Sequence, residues 1–269
     1  MVLPPLTPLR RFDTHRLLPA KYGTNLDSVL TRLVRPDSPP EELAHIFELD
    51  NATNARLLAE DGRNLDITAR ELVDRVPQAH IINAAFTHPN PLGGRFSSPT
   101  RGAWYAAFEI ATSKAEVLFH KSIEYAEIDW QEREEVLYDD YLADFTGTFH
   151  DLRPEALSQV AEPTEGTLKI QASLASQFES ESNEQADSPA ATDEALDFAA
   201  CLSPTSYVAS QALAEALLDE GSLGVLYPSV RKPGGNCIAC FRPSVVANVR
   251  KSYRYKLTWT PSRASFVRC

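Results

Sequence analysis

The chain is sparing with glycine. Its 269 residues hold only 11, with no G-x-G-x-x-G and no G-x-x-x-x-G-K among them. A nucleotide bound here is therefore not held by a Rossmann turn or a P-loop. Four cysteines are too few for a disulfide scaffold in a chain of this size. No stretch approaches the ~20 apolar residues of a membrane helix. Met1 to Arg11 carries prolines and arginines where a signal peptide would carry an apolar core, so the cytoplasm is the expected compartment. Charge is missing in blocks. Lys and Arg are absent between Lys169 and Arg231, and Asp and Glu are absent from Arg231 to Cys269. A net charge of −11 disfavours direct binding to nucleic acid. The basic C-terminal stretch is expected to fold beside the chain's own acidic segments.

What is present suffices for one domain with a sizeable core, since 43% of the residues are hydrophobic. Helix and strand signals alternate irregularly, which predicts a mixed α+β fold. Capping boxes at Ser38-Pro39-Pro40-Glu41 and Thr68-Ala69-Arg70-Glu71 predict two helices, the second running through Val76. The apolar run His80–Phe86 reads as a buried strand leaving into a loop. Gly102–Ile110 reads as a strand, with Thr112 placed to cap the helix after it. Val136–Phe149 carries a strand or two. Ser203-Pro204 opens a helix that Gly221 stops, and strands are expected at 223–227, 236–241 and 254–259. Residues 155–197 shift to Ser, Gln, Glu and Ala and predict a disordered excursion, with one short helix near 172–178.

Three neighbouring segments carry the candidate chemistry. Arg95 lies in a glycine loop, Tyr105 on the following strand and Glu116 on the helix after that. His120 stacks one turn beyond Glu116. Much later, Leu226-Tyr227-Pro228-Ser229-Val230-Arg231 sets a serine between a strand and a turn. Each residue alone has an ordinary alternative: an arginine in a surface ion pair, a core tyrosine, a glutamate at a helix start, a turn serine. Glu116 and His120 have the spacing to share a metal, but no third ligand is evident and no metal site is expected. Cys237 and Cys240, three apart on a strand, point to opposite faces and read as buried thiols.

An arginine, a glutamate and a serine in those settings resemble the RES family, which is named for them. The likeness extends to His15–Tyr22, Asn51–Leu57, Ala84–His88, Ser206–Leu213 and Cys237–Pro243, in order along nearly the whole chain. It departs chiefly at the 155–197 excursion and at Phe96, where the family often has tryptophan. The resemblance implies a single RES-type domain over 1–269, its N-terminal portion (about 1–80) packed on a mixed sheet like that of ADP-ribosyltransferases of the diphtheria-toxin type. It implies NAD as substrate rather than cofactor, with glycohydrolase or phosphorylase chemistry at the nicotinamide–ribose bond, or ADP-ribosyl transfer to a protein. Arg95, Glu116 and Ser229 would be catalytic; Arg95, Tyr105, His120 and Arg231 would bind substrate. It further implies a toxin of a toxin–antitoxin pair, an antitoxin with a helix-turn-helix segment, and self-association into a homo-oligomer. A non-catalytic binding module is the reading from another class, which the four retained residues Arg95, Tyr105, Glu116 and Ser229 disfavour.

Overall fold

A computed structural model describes residues 3–23, 66–161 and 198–269. The expectations at Ser38–Glu41, at Asn51–Leu57 and near 172–178 lie outside those residues. Seven strands form one mixed sheet: β1 (Leu6–Pro19), β2 (Trp104–Ala107), β3 (Glu134–Asp151), β4 (Gly224–Pro228), β5 (Asn236–Cys240), β6 (Ala247–Thr260) and β7 (Arg263–Arg268). Among the described residues, four helices of eight residues or more accompany it, α1 (Ala79–Thr87), α2 (Ile110–Glu127), α3 (Pro154–Ala161) and α4 (Val208–Asp219), besides a single helical turn at Ala20–Gly23. The order across the sheet is β1-β2-β5-β4-β3-β6-β7, and β1 also pairs along most of β3. The pairings β1–β2–β5–β4–β3–β1 therefore close on themselves, with β6 and β7 continuing the sheet beyond β3.

Strand alternation divides the side chains between two sides of this ring. Trp104, Ala106, Tyr141, Ala143, Phe145, Phe149, Leu226, Ile238 and Cys240 share one core with Ile82 and Phe86 of α1. On the other side, Ala107, Val225, Tyr227, Cys237 and Ala239 meet Leu213 and Leu217 of α4. A third cluster, with Leu17, Tyr138, Tyr255 and Leu257, packs beneath Tyr125, Val117 and Leu118 of α2. Cys237 and Cys240 fall in different clusters, as residues of odd separation on a strand must.

Several sequence expectations need correction. The run at 80–86 is helical, within α1, not a strand. Gln78 enters it in a left-handed conformation with no capping side chain, so the usual start signal is missing. The Thr68 box closes its turn, Glu71 N donating to Thr68 O and Thr68 N to Glu71 Oε1, but no helix follows through Val76. The Glu71 carboxylate is drawn instead to Arg101, and the Val73 backbone is held from both ends by the Asn83 amide. Thr112 is not the cap of α2. The helix begins two residues earlier, where Glu109 O accepts from the Thr112 and Ser113 N–H groups. The N-terminal portion is not simply packed on the domain, since residues 6–19 are a full member of the sheet. Of the excursion expected at 155–197, residues up to 161 are helix and the rest lie outside the described residues.

Four cations of the basic C-terminal stretch pair with acids of β3 and β1. Arg254 and Lys251 both bind the fully buried Asp139, Lys256 meets Glu135, and Arg250 reaches Asp144 and Asp13. Burial alone would raise the Asp139 carboxyl, but its bonds to Arg254 and Lys251 hold it below the ordinary value.

Candidate functional site

The site is assembled at the shared end of α2, β4 and the turn after β4. Ser229 leaves β4 in a tight turn, its N–H bonded to Gly235 O at 2.8 Å. Gly235 lies against the first turn of α2: a Cβ there would stand 2.5 Å from Thr112 Oγ1. That close seat brings Ser229 to Glu116, 113 residues away in sequence, and Ser229 Oγ donates to Glu116 Oε1 at 2.6 Å. The same oxygen accepts from Arg231 N at 3.2 Å and Lys232 N at 3.0 Å. A hydroxyl with two acceptor positions is thereby saturated. Its evident work is to fix one carboxylate oxygen, and Glu116 Oε2 makes no hydrogen bond among the described residues.

Two arginines, a tyrosine and a histidine complete the candidate set. Arg95, 8% exposed, donates from Nη1 to Cys201 O at 3.0 Å and Ser203 O at 2.8 Å, and lies 4.7 Å over the Tyr207 ring. Arg231 donates to Pro204 O at 2.6 Å and stacks at 3.2 Å on Phe119, one turn from Glu116. The run 201–204 thus supplies carbonyls to both arginines. Tyr105 sends its hydroxyl into the glycine loop, donating to Ser97 Oγ and accepting from Phe96 N. Burial raises its pKa to about 12. His120 is exposed on the outer turn of α2. Desolvation by the surrounding protein still lowers its pKa, outweighing Glu116, with Arg231 and Arg95 adding to the lowering.

Tyr227 stands two residues before Ser229. It is buried, packs on Phe96 at 4.9 Å, and its pKa is pushed well up by desolvation, with Cys237, Tyr105 and Glu116 contributing in that order. Arg95 acts on it in the opposite sense. One side chain therefore feels Arg95, Tyr105 and Glu116 together. Tyr227, Tyr207, Phe119 and Gln211 are participants that the sequence reading did not single out. Tyr227, inside the Tyr-Pro-Ser block, and Phe119, between Glu116 and His120, stood in segments already marked for chemistry.

Among the described residues, no group of three His, Cys, Asp or Glu side chains is arranged to hold a metal. An open cleft elsewhere is lined by Pro19, Lys21, Lys121, Glu134 and Leu137. It shares no residue with this cluster, and its charged lining is exposed or half-buried. No helix among the described residues is long and apolar enough to cross a membrane.

Residues 72–260 match the family model of the RES domain. The chain belongs to the RES family. The matched span contains Arg95, Tyr105, Glu116 and Ser229 but starts after β1, so this RES protein builds its sheet partly from residues ahead of the family region. Among solved structures, the crystal structure of the M. tuberculosis MbcT–MbcA toxin–antitoxin complex aligns at 15% identity and a TM-score of 0.36. The alignment covers 67% of this chain and 76% of that one, a likeness too slight to argue from. No curated protein sequence matches the chain.

Proposed function

We propose that this RES protein consumes NAD by cleaving the bond between nicotinamide and ribose. The observation that carries the reading is the 2.6 Å hydrogen bond from Ser229 to Glu116, which fixes one carboxylate oxygen and leaves the other unbonded among the described residues. In this reading the C1′–N bond breaks and its electron pair leaves with nicotinamide, which departs neutral. Positive charge develops on the ribose, and the unbonded Glu116 oxygen opposes it and accepts from a ribose hydroxyl. Arg95 and Arg231 hold the pyrophosphate. Tyr105 and His120 flank the nicotinamide-ribose. Water, phosphate or a protein side chain then adds to C1′ and gives up its proton, making the protein a glycohydrolase, a phosphorylase or, as the second reading, an ADP-ribosyltransferase. The kinship of the sheet to diphtheria-toxin-type ADP-ribosyltransferases belongs to the same proposal.

Unchecked loss of NAD would be lethal to the cell that makes the enzyme. The proposal therefore includes a toxin role in the cytoplasm and an antitoxin partner with a helix-turn-helix segment, while self-association stays open. Incubating the pure protein with NAD, with and without phosphate and with candidate proteins, and identifying the ribose-containing product tests the reaction. Free nicotinamide with ADP-ribose, its 1″-phosphate or a modified protein separates the three acceptors. Intact NAD under all conditions would overturn the proposal.

A further inference from the structure

Tyr207 and Gln211 lie one helical turn apart at the start of α4, with Gln211 N donating to Tyr207 O at 2.8 Å. Both reach the glycine loop that carries Arg95. The Gln211 amide nitrogen donates to Leu92 O and Gly94 O, each at 3.0 Å. One amide with two hydrogens thus ties the loop on either side of Gly93. Tyr207 covers one face of the Arg95 guanidinium at 4.7 Å, while the carbonyls of Cys201 and Ser203 take both hydrogens of Nη1. What remains without a hydrogen-bond partner among the described residues is the edge formed by Nε and Nη2. Two parallel N–H groups on that edge match two oxygens of a phosphate.

We propose that Tyr207 and Gln211 are positioning residues that clamp the Arg95 loop, so that the free edge of Arg95 is fixed in advance for a diphosphate. The inference rests on the NAD-consuming reading and extends it to residues that touch neither the reacting bond nor Glu116. Their contribution is to affinity: an arginine already stacked and bonded loses little freedom when the phosphate arrives. A carboxylate in place of the Gln211 amide would keep the shape but face two carbonyl oxygens without a hydrogen to give.

The test is calorimetric binding of ADP, a diphosphate lacking the bond to be broken, together with KM and kcat for NAD. Wild type, Gln211→Glu, Tyr207→Ala and Tyr207→Phe are compared, with thermal melting to establish folding. Gln211→Glu and Tyr207→Ala are expected to weaken ADP binding and raise KM by about tenfold, with kcat changed less than about threefold. Tyr207→Phe keeps the ring and should restore both. In an Arg95→Lys background, Gln211→Glu should have no further effect, because the clamp acts through the guanidinium. Should Tyr207→Ala not fold, Tyr207→Leu keeps bulk without the π face and takes its place. Unchanged ADP binding, a loss confined to kcat, an equal loss in the Arg95→Lys background, or no ADP binding by wild type would each overturn the clamp. ADP binding without nicotinamide release by wild type would overturn the proposed reaction, and the clamp would then be judged on ADP binding alone.

Discussion

Ser229 is better placed to aim a carboxylate than to attack a substrate. Its oxygen already accepts from two backbone N–H groups and its proton is committed to Glu116. Ser229→Ala should leave the fold intact and lower NAD turnover by between about tenfold and about a hundredfold, from the ~1.5–3 kcal/mol of a hydrogen bond to a charged group. Steady-state kinetics beside a melting curve checks this, and near-normal turnover would remove Ser229 from the proposed mechanism. At this scale the sequence was informative about residue types and poor about their partners. Arg95, Tyr105, Glu116 and Ser229 stood in marked segments, and the structure bonds Ser229 to Glu116 and Tyr105 to the loop of Arg95. That Arg95 would rest on Tyr207, or that Gln211 would hold its loop, was not legible. Those contacts join segments far apart in sequence, and no local spacing records them.

Elements carry the placement. The turn from Ser229 to Gly235 works because Gly235 admits the first turn of α2 against it. Gly235→Ala would press a methyl into Thr112, only 2.5 Å from its Oγ1. It is expected to move Ser229 off Glu116 and lower kcat, while Gly235→Ala with Thr112→Ala should recover part of the loss; kinetics on the pair decides. A second element-level contact is the Glu71–Arg101 pair, which joins the turn before α1 to the segment leading into β2. Its hydrogen bond with Arg101 lowers the Glu71 pKa from 4.5 to about 2. A carboxylate depressed on folding stabilises above its unfolded value, and that stabilisation disappears as pH falls through its folded value. Wild-type melting temperature should therefore drop more steeply than that of Glu71→Gln between pH 4.5 and about 2, and parallel curves would refute the assignment. The strands at β4, β5 and β6 and the glycine stop after α4 were readable from local pattern, and Gly221 does take φ +75°. The stretch 80–86 was not. A short, mostly apolar run fits helix or strand equally, and only its packing against the core shared with β2, β3, β4 and β5 decides.

Over the whole molecule, charge pairing explains why an acidic protein carries a basic C-terminal stretch. Asp139, Glu135 and Asp144 of β3 engage Arg254, Lys251, Lys256 and Arg250 of β6. With those cations committed internally, the protein should show no retention on duplex DNA at about 0.15 M salt, where exposed charges are screened beyond about 8 Å. A gel-shift titration at that salt checks it, and a complex there would show the stretch free to meet phosphates. The sheet's long-range closure, β1 meeting both β2 and β3, was invisible in sequence because β1 precedes its partners by roughly 90 to 144 residues. The central claim is that these distant pieces converge to cleave NAD at Glu116. It is tested most directly by measuring nicotinamide released from NAD by the wild-type protein and by Glu116→Gln, both shown folded by their melting curves. The expected result is release by wild type and loss of at least about a hundredfold in the variant, since the charge acts only as the ribose becomes cationic. Equal release by both, or none by the folded wild type, would contradict it.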